Sequence, residues 1–66
     1  MLRIEFEQQA DGRWIAEIAE LSGVMAYGVT QQEAQAKVEA LALRVLADRL
    51  EHGETIPALG ELFVAA

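Results

Sequence analysis

Few side chains in this sequence are of types that carry out covalent catalysis. His52 is the single histidine and Ser22 the single serine, and there is no cysteine. Nucleophilic catalysis needs a nucleophile with a base and an orienting group beside it, and these two residues share no motif. We therefore predict no catalytic residue, and we interpret His52 as a last-turn residue at the negative end of a helix dipole.

Carboxylates offer a second kind of chemistry. Glu5 and Glu7 alternate along one strand face, and Glu17 can lie near them across a hairpin. Two-metal nuclease chemistry requires several carboxylates that converge on one point. A solvated, charged sheet face explains the same pattern more simply, so the sequence predicts no metal ligand and no cofactor.

The acids of the hairpin and the following loop also suggest a surface for a partner. The formal net charge is −6, which disfavours direct binding to nucleic acid and suits a basic protein. An acidic patch would speed association with such a protein and exclude wrong partners; plain solubility is the alternative explanation. The candidate partner-binding residues are Glu7, Asp11, Glu17 and Glu20.

These residues depend on a sheet for their placement. Residues 2–7 alternate between apolar and charged side chains, which predicts a half-buried strand. Asp11-Gly12 is a strong hairpin-turn signal, and residues 13–18 form the second predicted strand. A short third strand is expected at residues 24–28, where Met25 and Tyr27 share a face that carries no charge.

One long helix is expected next. Thr30 and Glu33 fit a capping box, no Gly or Pro occurs from Gln31 to about His52, and Gly53 supplies a C-terminal cap. The helix is apolar over more than one face: we assign Ala34, Val38, Leu41, Ala42 and Val45 to the sheet and Ala36, Leu43, Leu46, Ala47 and Leu50 to an outward region.

The last segment completes the predicted fold. Residues 54–57 should be extended, and Leu62 to Val64 are typical of a fourth strand in the segment from Gly60 to Val64. The order β-β-β-α-β over residues 1–66 describes one domain: a two-layer α+β fold with one helix on a four-stranded mixed sheet.

The motifs also resemble a known family, the HicB-like antitoxins. The family pattern combines a DG hairpin turn, a strand with a small residue, a Pro-x-Leu-Pro-Gly loop, a Gly-x-Thr capping element and a Glu-Ala helix start. Similar segments occur here in the same order, over residues 2–64. They are Asp11 to Glu17, Glu20 to Val24, Gly28 to Ala34 and Gly53 to Pro57.

The resemblance implies a partial ribonuclease-H-like fold, with strand one in the middle and strand four parallel beside it. It also implies stoichiometric neutralisation of a small, basic, HicA-like toxin that cleaves mRNA. Ala19 and Ser22 replace both prolines of the family's loop, which loosens it. The DNA-binding domain that many members carry is not expected in this sequence, so direct binding to nucleic acid is not expected either.

Size argues for self-association. In a chain of 66 residues hydrophobic burial and the entropy of ordering nearly cancel, and oligomerisation is a usual remedy. We therefore expect a cytoplasmic homo-oligomer, a dimer or larger, without a membrane span. The predicted oligomer interface comprises Ile15, Met25, Tyr27, Leu43, Leu46 and Leu50. The alternative to an antitoxin is a homo-oligomeric module of the same fold that has no toxin partner.

Overall fold

A computed structural model describes residues 2–61 together with Phe63 and Ala65. Three strands, β1 (Ile4–Gln8), β2 (Trp14–Ile18) and β3 (Met25–Gly28), precede α1 (Gln31–Glu51) and a 3-10 helix (Pro57–Glu61). The strands form an antiparallel sheet in the order β1-β2-β3. The α+β class and its single long helix are therefore confirmed. None of the described helices is long and apolar enough to cross a membrane.

The described sheet has three strands instead of the four expected. In the described residues β2 is central and β1 lies at an edge, whereas the resemblance implied that β1 lies between two neighbours. Leu62 and Val64 of the expected fourth strand lie outside the described residues. Phe63 is described and is not in a strand, and its N–H donates to the carbonyl of Leu59 at 3.1 Å. Local alternation defines which residues form a strand, but strand order depends on pairing between distant segments.

The segment after α1 corrects another expectation. Pro57, Gly60 and Glu61 lie in the 3-10 helix rather than in extended structure. Proline suits the first helical position because its φ is already set and no N–H is needed there. The N–H of Leu59 donates to the carbonyl of Ile56 at 3.1 Å, and both side chains pack against the core.

Both ends of α1 follow the sequence signals. Thr30 Oγ1 accepts from the N–H of Glu33 at 3.0 Å, and Glu33 Oε1 accepts from the N–H of Val29 at 2.9 Å, one residue earlier than in the usual capping box. At the other end Gly53 has a φ of 83°. Its N–H donates to Leu50, and the next N–H donates to Arg49, which is a Schellman motif.

The core lies between the sheet and one side of α1. Every fourth residue of the helix is buried, and loop residues close the end of the layer. The buried apolar residues are Ala16, Ile18, Leu21, Val24, Ala34, Val38, Ala42 and Leu46. Leu46 is only 4 % exposed, so its assignment to the outward region of the helix was wrong. It lies at the border of the two predicted faces, and the position of the sheet decides which face it joins.

Candidate interaction surface

The face of the sheet opposite α1 brings the predicted surface residues together. Along each strand successive side chains alternate, and the register aligns the outward ones in rows across the sheet. In one row Glu5 is opposite Glu17, which is opposite Met25; in the next Glu7 is opposite Ile15, which is opposite Tyr27. We call these six residues the open sheet face.

The open sheet face divides into an acidic and an apolar part. Glu5, Glu7 and Glu17 gather on β1 and the adjoining side of β2, whereas Met25 and Tyr27 lie on β3 and are 42 % and 47 % exposed. A shallow depression of about 310 Å³ lies between the two parts. Its lining comprises Glu5, Phe6, Glu7, Ile15, Glu17 and Met25.

This geometry joins two predictions that the sequence kept separate. Glu7 and Glu17 were predicted to contact a basic partner, and Ile15, Met25 and Tyr27 to contact a second copy. The register places all five on one surface. Carboxylates beside apolar side chains can bind a cationic, amphipathic surface, because the apolar contact supplies burial and the charges select the partner.

Asp11 and Glu20 differ from the carboxylates of the open sheet face, because each lies beside a basic side chain. Asp11 accepts from Arg13 Nε at 2.8 Å, and Glu20 lies 3.9 Å from Arg3. The backbone N–H of Arg13 also donates to Asp11 and lowers the pKa of its carboxyl group. These two acids support the hairpin and its loop, and their negative charge is partly matched within the chain.

Two residues that contribute to the open sheet face were not predicted from the sequence. Glu5 was considered only as a metal ligand, although alternation puts it on the same side as Glu7. The guanidinium of Arg13 lies 5.4 Å from the centroid of the Tyr27 ring, a cation–π contact that orients this ring at the end of the face. Only the strand register could have found that contact.

His52, which was weighed as a catalytic residue, lies at the C-terminal cap of α1. The N–H of His52 donates to carbonyls of the last turn of α1, and its Nδ1 lies 2.7 Å from the Asp48 carbonyl. Within the described part of the chain, no group of three or more His, Asp or Glu side chains is placed to hold a metal ion.

The interface residues predicted on α1 divide into two groups. Leu43 and Leu50 are 63 % and 48 % exposed, whereas Leu46 belongs to the core. An apolar groove of about 310 Å³ also runs between α1 and the start of β1, with Leu43 at its rim. Its other lining residues are Leu2, Ile4, Ile18, Glu39, Ala42 and Leu46.

No protein-family model, curated protein or solved structure matches this chain.

Proposed function

We propose that this chain is a HicB-like antitoxin, a cytoplasmic protein that binds a small, basic, mRNA-cleaving toxin and blocks its active surface by forming a stoichiometric complex. It acts by binding and not by catalysis. The observation that carries the proposal is the open sheet face, where three carboxylates adjoin three partly exposed apolar side chains. The order of motifs along the chain supports the proposed assignment to the HicB-like family.

Electrostatic repulsion within the open sheet face favours a cationic occupant. Glu5 and Glu17 are directly opposed across β1 and β2, and like charges at such positions destabilise a sheet. A lysine or arginine side chain of a partner would relieve this repulsion when it binds between them. The chain's net charge of −6 would add long-range steering, which weakens as salt screens it.

The proposed family also implies a fourth strand in the sheet. A fourth strand at Leu62 to Val64 would lie parallel beside β1 and complete a partial ribonuclease-H-like sheet, and it would require the N–H of Phe63 to leave the Leu59 carbonyl to which it donates here. Support comes from the position of β1 at an edge of the described sheet and from the apolar groove beside it, where Leu2, Ile4 and Ile18 have room for further side chains.

The first experiment is a pull-down of the tagged chain from its own cells, with bound proteins identified by mass spectrometry. We expect a small basic protein in near-equal amount, whose RNA cleavage stops when the chain is added at one equivalent. Recovery of the chain alone as a defined oligomer would instead support the second candidate, a homo-oligomeric module without a toxin. The exposed Leu43 and Leu50 are the observation that favours this second candidate.

Charge reversal then tests the surface itself. Glu17→Lys should weaken toxin binding at least about tenfold, because it places a like charge against the basic partner. Glu54→Lys makes the same change in charge at an exposed residue three positions after the end of α1 and should leave the affinity nearly unchanged. Equal losses in both variants would mean that only net charge matters, and the open sheet face would be excluded as the binding site.

A further inference from the structure

The outward side of α1 carries a regular apolar pattern. Its members are separated by intervals of four, three, four and three residues, which is the spacing of a heptad seam. We call them the outer stripe: Ala36, Ala40, Leu43, Ala47 and Leu50. Leu43 is 63 % and Leu50 48 % exposed, so the two largest members face away from the core.

We propose that the outer stripe is the seam of an antiparallel helix pair formed with a second copy of this chain. This inference deepens the homo-oligomeric part of the proposed function, but it concerns self-association alone and holds with or without a toxin. An identical stripe on every copy is what a two-fold interface requires, because the same patch then serves both sides.

The exposed area of the chain is consistent with a missing partner. Its accessible surface is 4910 Å², whereas a compact monomer of this mass exposes about 4,100 Å². Each partner in a typical stable interface buries about 800 Å². The excess is comparable with the area that one such interface buries, and the elongated outline of the chain, 46 × 22 × 15 Å, contributes to it as well.

Side-chain sizes along the stripe favour the antiparallel direction. With the two-fold axis near residue 45, Leu43 lies against the partner's Ala47 and Leu50 against the partner's Ala40. Each large side chain then meets a small one, so the four layers formed by Ala40, Leu43, Ala47 and Leu50 fill to a similar width. Ala36 lies beyond the last layer. A parallel pair would place leucine on leucine and alanine on alanine, and the leucine layers would hold the alanine layers apart.

Charges beside the stripe favour the same direction. Lys37 and Glu51 flank it on one side, near its two ends. Antiparallel pairing brings Lys37 close to the partner's Glu51 and repeats this contact by symmetry, whereas parallel pairing brings Lys37 near the uncharged Gln32 of the partner subunit. Arg44 lies near its own copy at the axis, a cost that the neighbouring Asp48 offsets.

Sedimentation equilibrium of the full chain over a range of concentrations tests the seam. We expect a reversible species of twice the 7.2 kDa chain mass. Leu43→Glu should weaken the dimer at least about tenfold, since it buries two carboxylates, while circular dichroism stays native because Leu43 is exposed. Ala47→Glu should act alike. Met25→Glu, the matched change on the open sheet face, should leave the dimer intact.

A wild-type chain that stays monomeric, or a dimer that Met25→Glu disrupts and Leu43→Glu does not, would overturn the seam. Direction is tested by oxidative crosslinking, since the chain has no native cysteine. A mixture of Ala40→Cys and Leu50→Cys proteins should form the mixed disulfide, and Leu50→Cys alone should not crosslink. Efficient crosslinking of Leu50→Cys alone would show a parallel pair and refute the antiparallel assignment.

Discussion

At the scale of single residues, Gly28 is the glycine with the least space for a side chain. It ends β3 where α1 begins, and a Cβ there would lie 2.9 Å from both the Thr30 carbonyl oxygen and Ala34 Cα. Because these are backbone atoms, they cannot move aside as a flexible side chain would. This close approach allows the first turn of α1 to pack directly on the sheet.

Gly28→Ala should therefore lower the free energy of unfolding by about 2 kcal/mol or more. Gly60→Ala is the matched control, because a Cβ at Gly60 meets no atom within 4 Å and its φ is not positive. Urea unfolding at equal protein concentration measures both. If the two variants proved equally stable, α1 would not approach β3 this closely.

Glu33 links the cap of α1 to pH. The N–H of Val29 donates to its carboxylate, and with Lys37 nearby this lowers the pKa of Glu33 below its ordinary value of 4.5. A carboxyl group whose pKa is lower in the folded state stabilises the fold fully above its unfolded pKa, and this stabilisation is lost as the pH falls through the folded pKa.

Glu33→Gln should consequently make stability less dependent on pH as the pH falls below the ordinary glutamate pKa of 4.5. The amide oxygen can still accept from Val29, so the variant isolates the titration from the hydrogen bond. Chemical unfolding at a series of pH values gives the comparison. An unchanged slope in the variant would show that Glu33 does not contribute to acid sensitivity.

At the scale of elements, two substitutions in α1 test whether its core side and its outer stripe are placed as described. Leu46 is 4 % and Leu43 63 % exposed, although they are three residues apart on one helix. We expect Leu46→Ala to cost about 3 kcal/mol of unfolding free energy, because it leaves a cavity. Leu43→Ala should cost under about 0.5 kcal/mol in dilute, monomeric protein. Similar losses in urea titrations would contradict the observed placement of the helix.

Elements were predictable where the signal is local. Alternation found β1 and β2 with their faces, a short uncharged run found β3, and Thr30 and Gly53 bounded the helix within a residue of its observed ends. The 3-10 helix at Pro57–Glu61 and the side of Leu46 were not predictable in this way. Both depend on where distant segments pack, and a helix that is apolar around much of its circumference does not specify which side meets the sheet.

The open sheet face was likewise predictable only in part. The acids and apolar residues of the open sheet face were each identified from alternation, but they were assigned to different partners. Only the register, with Glu17 opposite Met25 and Ile15 opposite Tyr27, places them on one surface. The sequence alone indicates which residues share a strand face. Which residues are neighbours across strands depends on turn geometry and strand pairing.

At the scale of the whole molecule, the two proposed interfaces lie on opposite sides of a two-layer structure. The open sheet face points away from α1, and the outer stripe points away from the sheet. A toxin on one side would not contact a second copy on the other. Self-association and toxin binding should therefore be energetically independent, because neither interface shares side chains with the other.

This separation predicts the composition of the complex. Wild-type chain and toxin should form a particle with two copies of each, whereas Leu43→Glu should form a particle with one copy of each. The affinity per toxin should stay within about twofold between the two, since Leu43 is remote from the open sheet face. Light scattering gives the masses and calorimetry the affinities. A large loss of toxin affinity in the correctly folded Leu43→Glu variant would mean that the toxin binds across the dimer, and the two surfaces would then have to be treated as one site.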